Sequence, residues 1–492
     1  MIDADQTEIA VGRARGVSLR GVSSLLPILV GFVVYLTALA KGSRLLDDPD
    51  TYLHVAVGRW MIAHRTIPDH DPFSYSMRGV AWVPHEWLAE ISAAWLHDTV
   101  GWAALVVAAA LCLAVTFIIL THALLRYLTP SHAVVAVILA WALCFPHLLA
   151  RPHLPGLMLL TAWVAILVAA RESAGAPPLV ATLLLTPWAN LHGSFMLALV
   201  LAAFFAAEAL LDAPDGRARR DEARRWIIFL AASLVAALLT PNGIAGMLLP
   251  LRFSQMDFVQ STVSEWRSPE FQHPQPLEFW LMLLLLGALS LGIRIPVTRT
   301  ALLLLLMHMA LTHRRHAEIL GLVAPLILAP ALGPQLRRFA FPLADHWLGR
   351  HTTAMRNASI ALAGALAAGA VVIDGGIAHD RGRYAPVDAI NAVQRDSIAG
   401  PVLNDYPFGD YLIFSGIPPF IDGRADMYGD VFMRRAAQLA ELPALLAQYG
   451  VVWTLLKPDS PRVVLLDNLP GWRRFYADDI AIVHIRRDDS AH

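Results

Sequence analysis

Long stretches with few or no charged residues recur along the chain, separated by short charged segments. They cover residues 25–40, 102–125, 133–149, 154–170, 179–189, 195–211, 226–239, 279–292, 301–311, 319–332 and 360–373. A helix needs roughly 20 apolar residues to cross the hydrocarbon core of a bilayer. The longer stretches therefore predict spans directly. The shorter ones predict spans that borrow length from their flanks, or helices that are broken. The pattern predicts a polytopic α-helical membrane protein with about eleven transmembrane helices.

Two regions depart from that pattern. Residues 41–101 form a long loop containing two helical pieces. The first starts at Asp48, an acceptor suited to a helix N-cap, followed by Pro49 where a missing N–H does no harm. Asp50 and His54 then fall four residues apart on one face, with Leu53, Val57 and Trp60 on the other. This predicts an amphipathic helix with an acidic opening turn, lying where lipid meets water. Turn residues follow at 67–75. A second helix is expected from His85-Glu86-Trp87 to Asp98, its stripe of Trp87, Ile91 and Trp95 suited to the headgroup zone. His85 and Glu86 are adjacent and diverge on a helix, which argues against a metal site made of the two. The other departure begins after residue 375. Short strands at 401–404, 418–421, 451–456 and 480–485, with a helix at 436–449, predict a small α/β domain. The turn Asp422-Gly-Arg-Ala-Asp426 reads as structural, and no Gly-rich phosphate loop is present. The expected division is a transmembrane domain over 1–375, including the 41–101 loop, and an extracytoplasmic α/β domain over 376–492.

Composition narrows the class. The 492 residues are 57% hydrophobic and 16% charged, where an ordinary soluble domain carries roughly 25% charge. A net charge of −1 excludes the basic face of a nucleic-acid binder. Cys112 and Cys144 both lie in apolar stretches, which excludes a disulfide framework. Arg13, Arg15 and Arg20 precede the first apolar stretch. Lys41, Arg44 and the acidic segment follow it in place of a small-residue cleavage site, so an uncleaved first span is expected. Arg126, Arg171, the arginines from Arg217 to Arg225, Arg294, Arg299, Arg337, Arg338, Arg350 and Arg356 then fall on one side. That fits a cytoplasmic N-terminus and a periplasmic C-terminal domain in a bacterial inner membrane.

The residues that break the charge rule are the candidates for chemistry. Asp47, Asp48, Asp50, His54 and Glu86 stand on the outer side with Arg151, His153, Asn190, His192, Glu265, Arg267, Arg314 and Arg315. Cations beside spans need anionic partners. A lipid phosphate is one, and arginine suits its oxygens. Structural ion pairs with Asp47, Asp50 or Glu265 are the other, and both readings stand at this level.

An uncleaved first span, a long outer loop opening with acidic residues, and many further spans resemble the GT-C glycosyltransferase superfamily. In its lipid A aminoarabinose and protein mannosyltransferase branches the loop opens with an acidic pair and a tyrosine soon after. Asp48 and Tyr52 have similar spacing here, and Arg59-Trp-Met61 and Pro68 follow in like order. Pro49 departs from the pattern where glutamate is common, which displaces the acidic partner to Asp47 or Asp50. The 47–58 segment, Pro84-His-Glu-Trp-Leu88 and the 422–426 turn are also similar to an uncharacterised bacterial branch. The resemblance implies transfer of a hexosyl or pentosyl group from a polyprenyl-phosphate donor to a cell-envelope glycan, lipid or protein, in contact with membrane lipid and without nucleic acid. Such a transfer needs a base for the acceptor hydroxyl and positive charge for the departing phosphate. Asp48, Asp50 and Asp47 are the candidate catalytic residues. His54, Glu86, Arg151, His153, His192, Arg267, Arg314 and Arg315 are the candidate substrate-binding ones. No cofactor is required, although some superfamily members use a divalent cation and three neighbouring carboxylates could hold one. Two other classes compete: a transporter or flippase, which wants charge near the bilayer midplane, and a non-catalytic scaffold of polysaccharide assembly. The spans are poor in charge, with Glu208 and His308 the few candidates.

Overall fold

The computed structural model describes residues 25–339, 355–379 and 383–487. Arg13, Arg15, Arg20 and Arg350 lie outside the described residues. The first part of the chain forms α1 (Leu26–Leu39), α2 (Asp50–His64), α3 (Trp87–Val100), α4 (Trp102–Leu124), α5 (Pro130–Cys144), α6 (His153–Glu172) and α7 (Leu185–Leu191). It continues through α8 (Phe195–Leu211), α9 (Gly216–Ala237), α10 (Gly243–Phe253), α11 (Asp257–Thr262), α12 (Pro276–Leu291), α13 (Val297–Thr312) and α14 (Ala317–Leu336). A further helix spans Met355–Gly375. Each apolar stretch of the sequence lies on one of these helices or on a 3-10 extension of one. Among the described residues four helices are long and apolar enough to cross a membrane, and most other stretches lie on apolar helices of 10–17 residues. One apolar helix, α10, was not expected. The charged first half of α9 is instead a capped polar helix start: Asp215 accepts the N–H groups of Arg217 and Ala218.

Close helix approach relies on small residues. A Cβ at Gly31 of α1 would collide with Ile118 of α4, and one at Gly333 of α14 with the Tyr127 carbonyl. α14 carries Pro325, Pro330 and Pro334 within its length and is nevertheless buried at its centre against neighbouring helices.

The first loop corrects one expectation. α2 does not lie on lipid: Tyr52, Leu53, His54, Val55, Val57 and Met61 are all buried. Tyr52 and Val55 join the main core, while Leu53, Val57 and Met61 pack with Trp82 and Ile413. The face with Tyr52 and Val55 is covered by the helical bundle and the face with Leu53 and Val57 by Trp82 and Ile413, while Ile62 near the end of the helix stays 47% exposed. Trp87 of α3 also turns inward, its indole N–H donating to Asn190 Oδ1 at 2.6 Å, whereas Trp95 stays 61% exposed. α2 and α3 meet at Gly58, where a Cβ would run into the Glu90 carbonyl and stand 2.8 Å from Ala94 Cβ. Gly58→Ala is expected to force the pair apart and cost about 1–3 kcal/mol. Thermal unfolding in detergent checks this, and an unchanged midpoint would contradict it.

The C-terminal domain has β1 (Val402–Asn404), β2 (Trp453–Leu456), β3 (Trp472–Ala477) and β4 (Ile482–Arg486) in the order β1-β2-β4-β3. β1 and β2 are parallel, and the other pairs antiparallel. The strand expected at 418–421 is absent. The Asn404 side chain satisfies that backbone instead, accepting from Phe420 N–H at 2.8 Å and donating to the Ile421 carbonyl at 2.7 Å. The helix expected at 436–449 is split between Ala425–Ala437 and Leu442–Gln448. β3 was missed because its charged residues Arg473 and Arg474 are exposed on an edge strand.

The 422–426 turn is a latch, as its structural reading required. Arg424 donates through Nε and Nη2 to the two oxygens of Asp422, both at 2.7 Å, and through Nη1 to Asp71 Oδ1 of the first loop at 2.6 Å. Tyr428 adds a hydrogen bond to Asp422 at 2.7 Å. The guanidinium lies over Trp82 and Phe73. This seats the C-terminal domain on the first loop.

Candidate functional site

Arg151 is the centre of the site. It stands just ahead of α6, and the Ala150 N–H donates to the Leu45 carbonyl at 2.6 Å, tying this segment to the turn before α2. Arg151 Nη2 donates to Asp48 Oδ1 at 2.7 Å. Its Nε lies 2.5 Å from Asp48 Oδ2 as an ion pair, without N–H alignment. Nη2 also pairs with Asp50 Oδ2 at 2.8 Å, and Nη1 with Glu265. Three carboxylates thus share one guanidinium. They hold the Arg151 pKa well above its ordinary value against the effect of burial. Burial, with Asp50 and Glu265 nearby, outweighs the attraction of Arg151 and pushes the Asp48 carboxyl up to about 6.

Asp48 and Asp50 are placed differently. Asp48 is an ion-pair partner and not the expected N-cap: the helix starts at Asp50 with Pro49 at the cap position and no side-chain cap, and Asp48 Oδ1 accepts the Asp50 N–H at 2.9 Å in the turn ahead of it. The Asp48 side chain is 4% exposed and that of Asp50 29%. Both oxygens of Asp48 face Arg151. Asp50 offers only Oδ2 to it, and its Oδ1 points at Gly423 of the C-terminal domain, 3.0 Å from where a Cβ would stand. A carboxylate anchored through one oxygen, with the other outside the ion pair, can take a proton from a substrate hydroxyl.

A second cluster adjoins the first. Glu86 lies between His54 at 4.0 Å, His85 at 3.7 Å and His192 at 3.7 Å, and His54 lies 3.9 Å from Glu90. These distances are ion pairs at most, and His54 Nδ1 and Glu90 Oε2 are buried without hydrogen-bond partners. Burial opposes charge on His54, but Glu90, Glu86 and Asp50 outweigh it and push its pKa up. Burial, helped by Arg315 and His153, holds His192 well down. Among the described residues no three His, Cys, Asp or Glu are arranged to hold a metal ion. Arg151 occupies the space between Asp48 and Asp50 that a cation would take.

The structure therefore brings together Asp48, Asp50 and Arg151. His54 and Glu86 lie beside them. Arg315 is linked through Glu265, 3.8 Å away, and covers the Trp266 ring. Other expected members lie elsewhere. Asp47 pairs with Arg383 at 2.7 Å on the surface. Arg267 donates to the carbonyls of Ser261 and Thr262, so its charge serves the local loop. His153 faces Glu318 at 3.7 Å. Arg314 lines a separate cavity of about 310 Å³ with His147, His273, Glu270, Leu143 and Leu277. Sequence reasoning missed Glu90, His147, Asp410 and Gly423. Asp410 is 1% exposed, and its Oδ2 lies 2.8 Å from the same Gly423 Cβ position that Asp50 approaches. It follows Gly409 at the start of a short helix, Gly409–Phe414, and nothing in that local sequence marks it.

No family model matches the chain, and no curated protein matches it. Among solved structures it is similar to the Archaeoglobus fulgidus oligosaccharyltransferase in its apo form, at 11% identity and a TM-score of 0.47, over 88% of this chain and 69% of that one. The complex of that archaeal enzyme, AglB, with an inhibitory peptide and a dolichol-phosphate gives 10% identity and a TM-score of 0.47 over the same shares. ArnT from Cupriavidus metallidurans bound to undecaprenyl phosphate gives 14% identity and a TM-score of 0.47, over 94% of this chain and 97% of that one. The likeness is weak, with a TM-score below 0.5 in each case. At these values no residue role and no substrate carries over from it.

Proposed function

We propose that this protein is a GT-C-type membrane glycosyltransferase that moves a sugar from a polyprenyl-phosphate donor to a hydroxyl of a cell-envelope glycan, lipid or protein. The observation that carries this reading is Asp50: a carboxylate oriented by Arg151 through Oδ2, with Oδ1 outside that ion pair. In the proposed step Asp50 Oδ1 takes the acceptor proton as the acceptor oxygen bonds to the anomeric carbon. The bond from that carbon to the phosphate oxygen breaks, and its electron pair stays on the phosphate. Asp48 holds Arg151 and the first turn of α2 in place.

Arg151 is an unsuitable ligand for the leaving phosphate, because three carboxylates already surround it. Arg314 suits better. It lines a cavity with His147, His273 and Glu270 as polar groups and Leu143 and Leu277 as apolar walls, and its guanidinium suits the oxygens of a phosphate carried on a lipid. Arg314→Ala is expected to raise the donor concentration needed for half-maximal rate about tenfold or more, in line with loss of a charge-assisted contact. Initial rates against donor concentration in lipid vesicles test this. An unchanged requirement would remove the cavity from the account.

The membrane arrangement that goes with this function has about eleven spans, an N-terminus in the cytoplasm, and both the first loop and the C-terminal domain in the periplasm. A transporter is supported less. Glu208 is closed into a buried ion pair with Arg299 at 2.5 Å and also faces Arg171 at 3.4 Å, so its charge is matched within the bundle.

A further inference from the structure

The C-terminal domain delivers a buried carboxyl group to Asp50. Asp410 Oδ1 accepts the Gly423 N–H at 2.7 Å, whereas Oδ2 is buried without a hydrogen-bond partner. Both Asp410 oxygens and Asp50 Oδ1 lie within 3.0 Å of the point that a Gly423 Cβ would occupy. Gly423 is thus the residue whose missing side chain allows the two carboxyl groups to share one space. Three carboxylates beside Asp410 make its ionisation harder, against the Gly423 N–H, which favours it. Asp50 and Asp48 face it from the first loop and Asp422 from the turn. Tyr406, which donates to the Gly423 carbonyl, lies beside them. The two nearby cations are taken: Arg151 by Asp48, Asp50 and Glu265, and Arg424 by Asp422 and Asp71. Among the described residues Asp410 forms no ion pair.

Two carboxyl groups that flank one Gly423 Cβ position, with no cation paired to Asp410, disfavour ionisation of both. We propose that Asp410 and Asp50 hold one proton between them, carried on Asp410, so that the C-terminal domain supplies a positioning residue that keeps Asp50 ionised and aimed at the acceptor. This rests on reading Asp50 as the base. Burial and the surrounding carboxylates raise the Asp410 pKa well above its ordinary value, the direction the geometry requires. Because the folded-state value is raised, the stabilisation from this proton is complete below the unfolded carboxyl value near 3.9 and is lost as pH rises toward the folded value.

Asp410→Asn is the informative change, since the amide keeps an acceptor for Gly423 and a donor toward Asp50 but does not titrate. In the full-length protein in lipid nanodiscs, a protonated-carboxyl C=O stretch is expected in the infrared spectrum of the wild type at pH 7 and is expected to be missing from Asp410→Asn. Between pH 5 and 8 the thermal midpoint of the wild type should fall relative to that of the variant. In Asp50→Asn the same band should titrate at lower pH, because the charge that retains the proton is gone. None of these readings needs turnover. If the band is present while no sugar transfer is found, the pair stands and the reading of Asp50 as the base fails. With transfer measured, the wild type is expected to lose rate as pH rises and Asp410→Asn is expected not to. Identical infrared spectra with parallel stability curves would overturn the proposal. So would a pH–rate profile unchanged by the substitution.

Discussion

Asp50→Asn is expected to leave the protein folded and membrane-inserted and to lower sugar transfer about 10²- to 10⁴-fold, the usual contribution of a positioned general base. Asparagine keeps the size of the side chain and an oxygen for Arg151, so the charge on Arg151 still has Asp48 and Glu265 as partners. Only the capacity of Oδ1 to take a proton is lost. Asp48→Asn is expected to act more mildly on turnover. Its oxygens are committed to Arg151 and to the Asp50 N–H, and an amide oxygen can still accept that N–H. Asp48→Ala is less informative, since it removes the Arg151 and Asp50 N–H contacts together. The check is initial rate on purified protein with matched thermal midpoints. If Asp48→Asn lost far more turnover than Asp50→Asn, the base would be Asp48, and Asp50 would become its support.

The second large effect concerns the latch. Arg424→Leu leaves Asp422 and Asp71 buried without their cation, at 0% side-chain exposure each. Breaking a buried ion pair from one side costs about 3–5 kcal/mol. The C-terminal domain should also become easier to cleave from the first loop, because Arg424 is one of the residues that join them, beside Tyr75 and Ser76. Adding Asp422→Asn and Asp71→Asn should recover part of the loss by removing the stranded charges. Chemical unfolding and limited proteolysis measure both. A loss near zero in the single variant would mean that water or another cation reaches the two carboxylates.

The helical part of the fold was legible because apolar length is a one-dimensional signal. Every apolar stretch became helix, and the 102–125, 154–170 and 319–332 stretches became long, apolar ones. The first loop was legible as sequence but not as packing. The face of α2 with Leu53 and Val57 looks like a lipid-facing stripe, yet its partners Trp82 and Ile413 are far along the chain. Periodicity records that a face is apolar and not what covers it. The same limit explains the site. Asp48 and Asp50 stood out because they are close in sequence, and pairing of Asp50 or Glu265 with an outer arginine was among the readings, whereas the pairing of Asp48 with Arg151 was not. Arg267 looked equivalent to Arg151, but its guanidinium turns to its own loop. Asp410 and Gly423 reach Asp50 only through tertiary folding, so no local pattern marks them. The strand expected at 418–421 failed because a single side chain, Asn404, satisfies that backbone.

The central claim is that this membrane domain transfers a sugar from a lipid phosphate by way of Asp50. The most direct measurement uses purified full-length protein in lipid vesicles with a polyprenyl-phosphate-linked sugar, labelled in the sugar, and an extract of envelope glycans, lipids and proteins as acceptor. The account predicts that label leaves the polyprenyl lipid with the wild type and stays on it with folded Asp50→Asn. Label leaving at equal rates in both proteins, or remaining on the lipid in both, would contradict it.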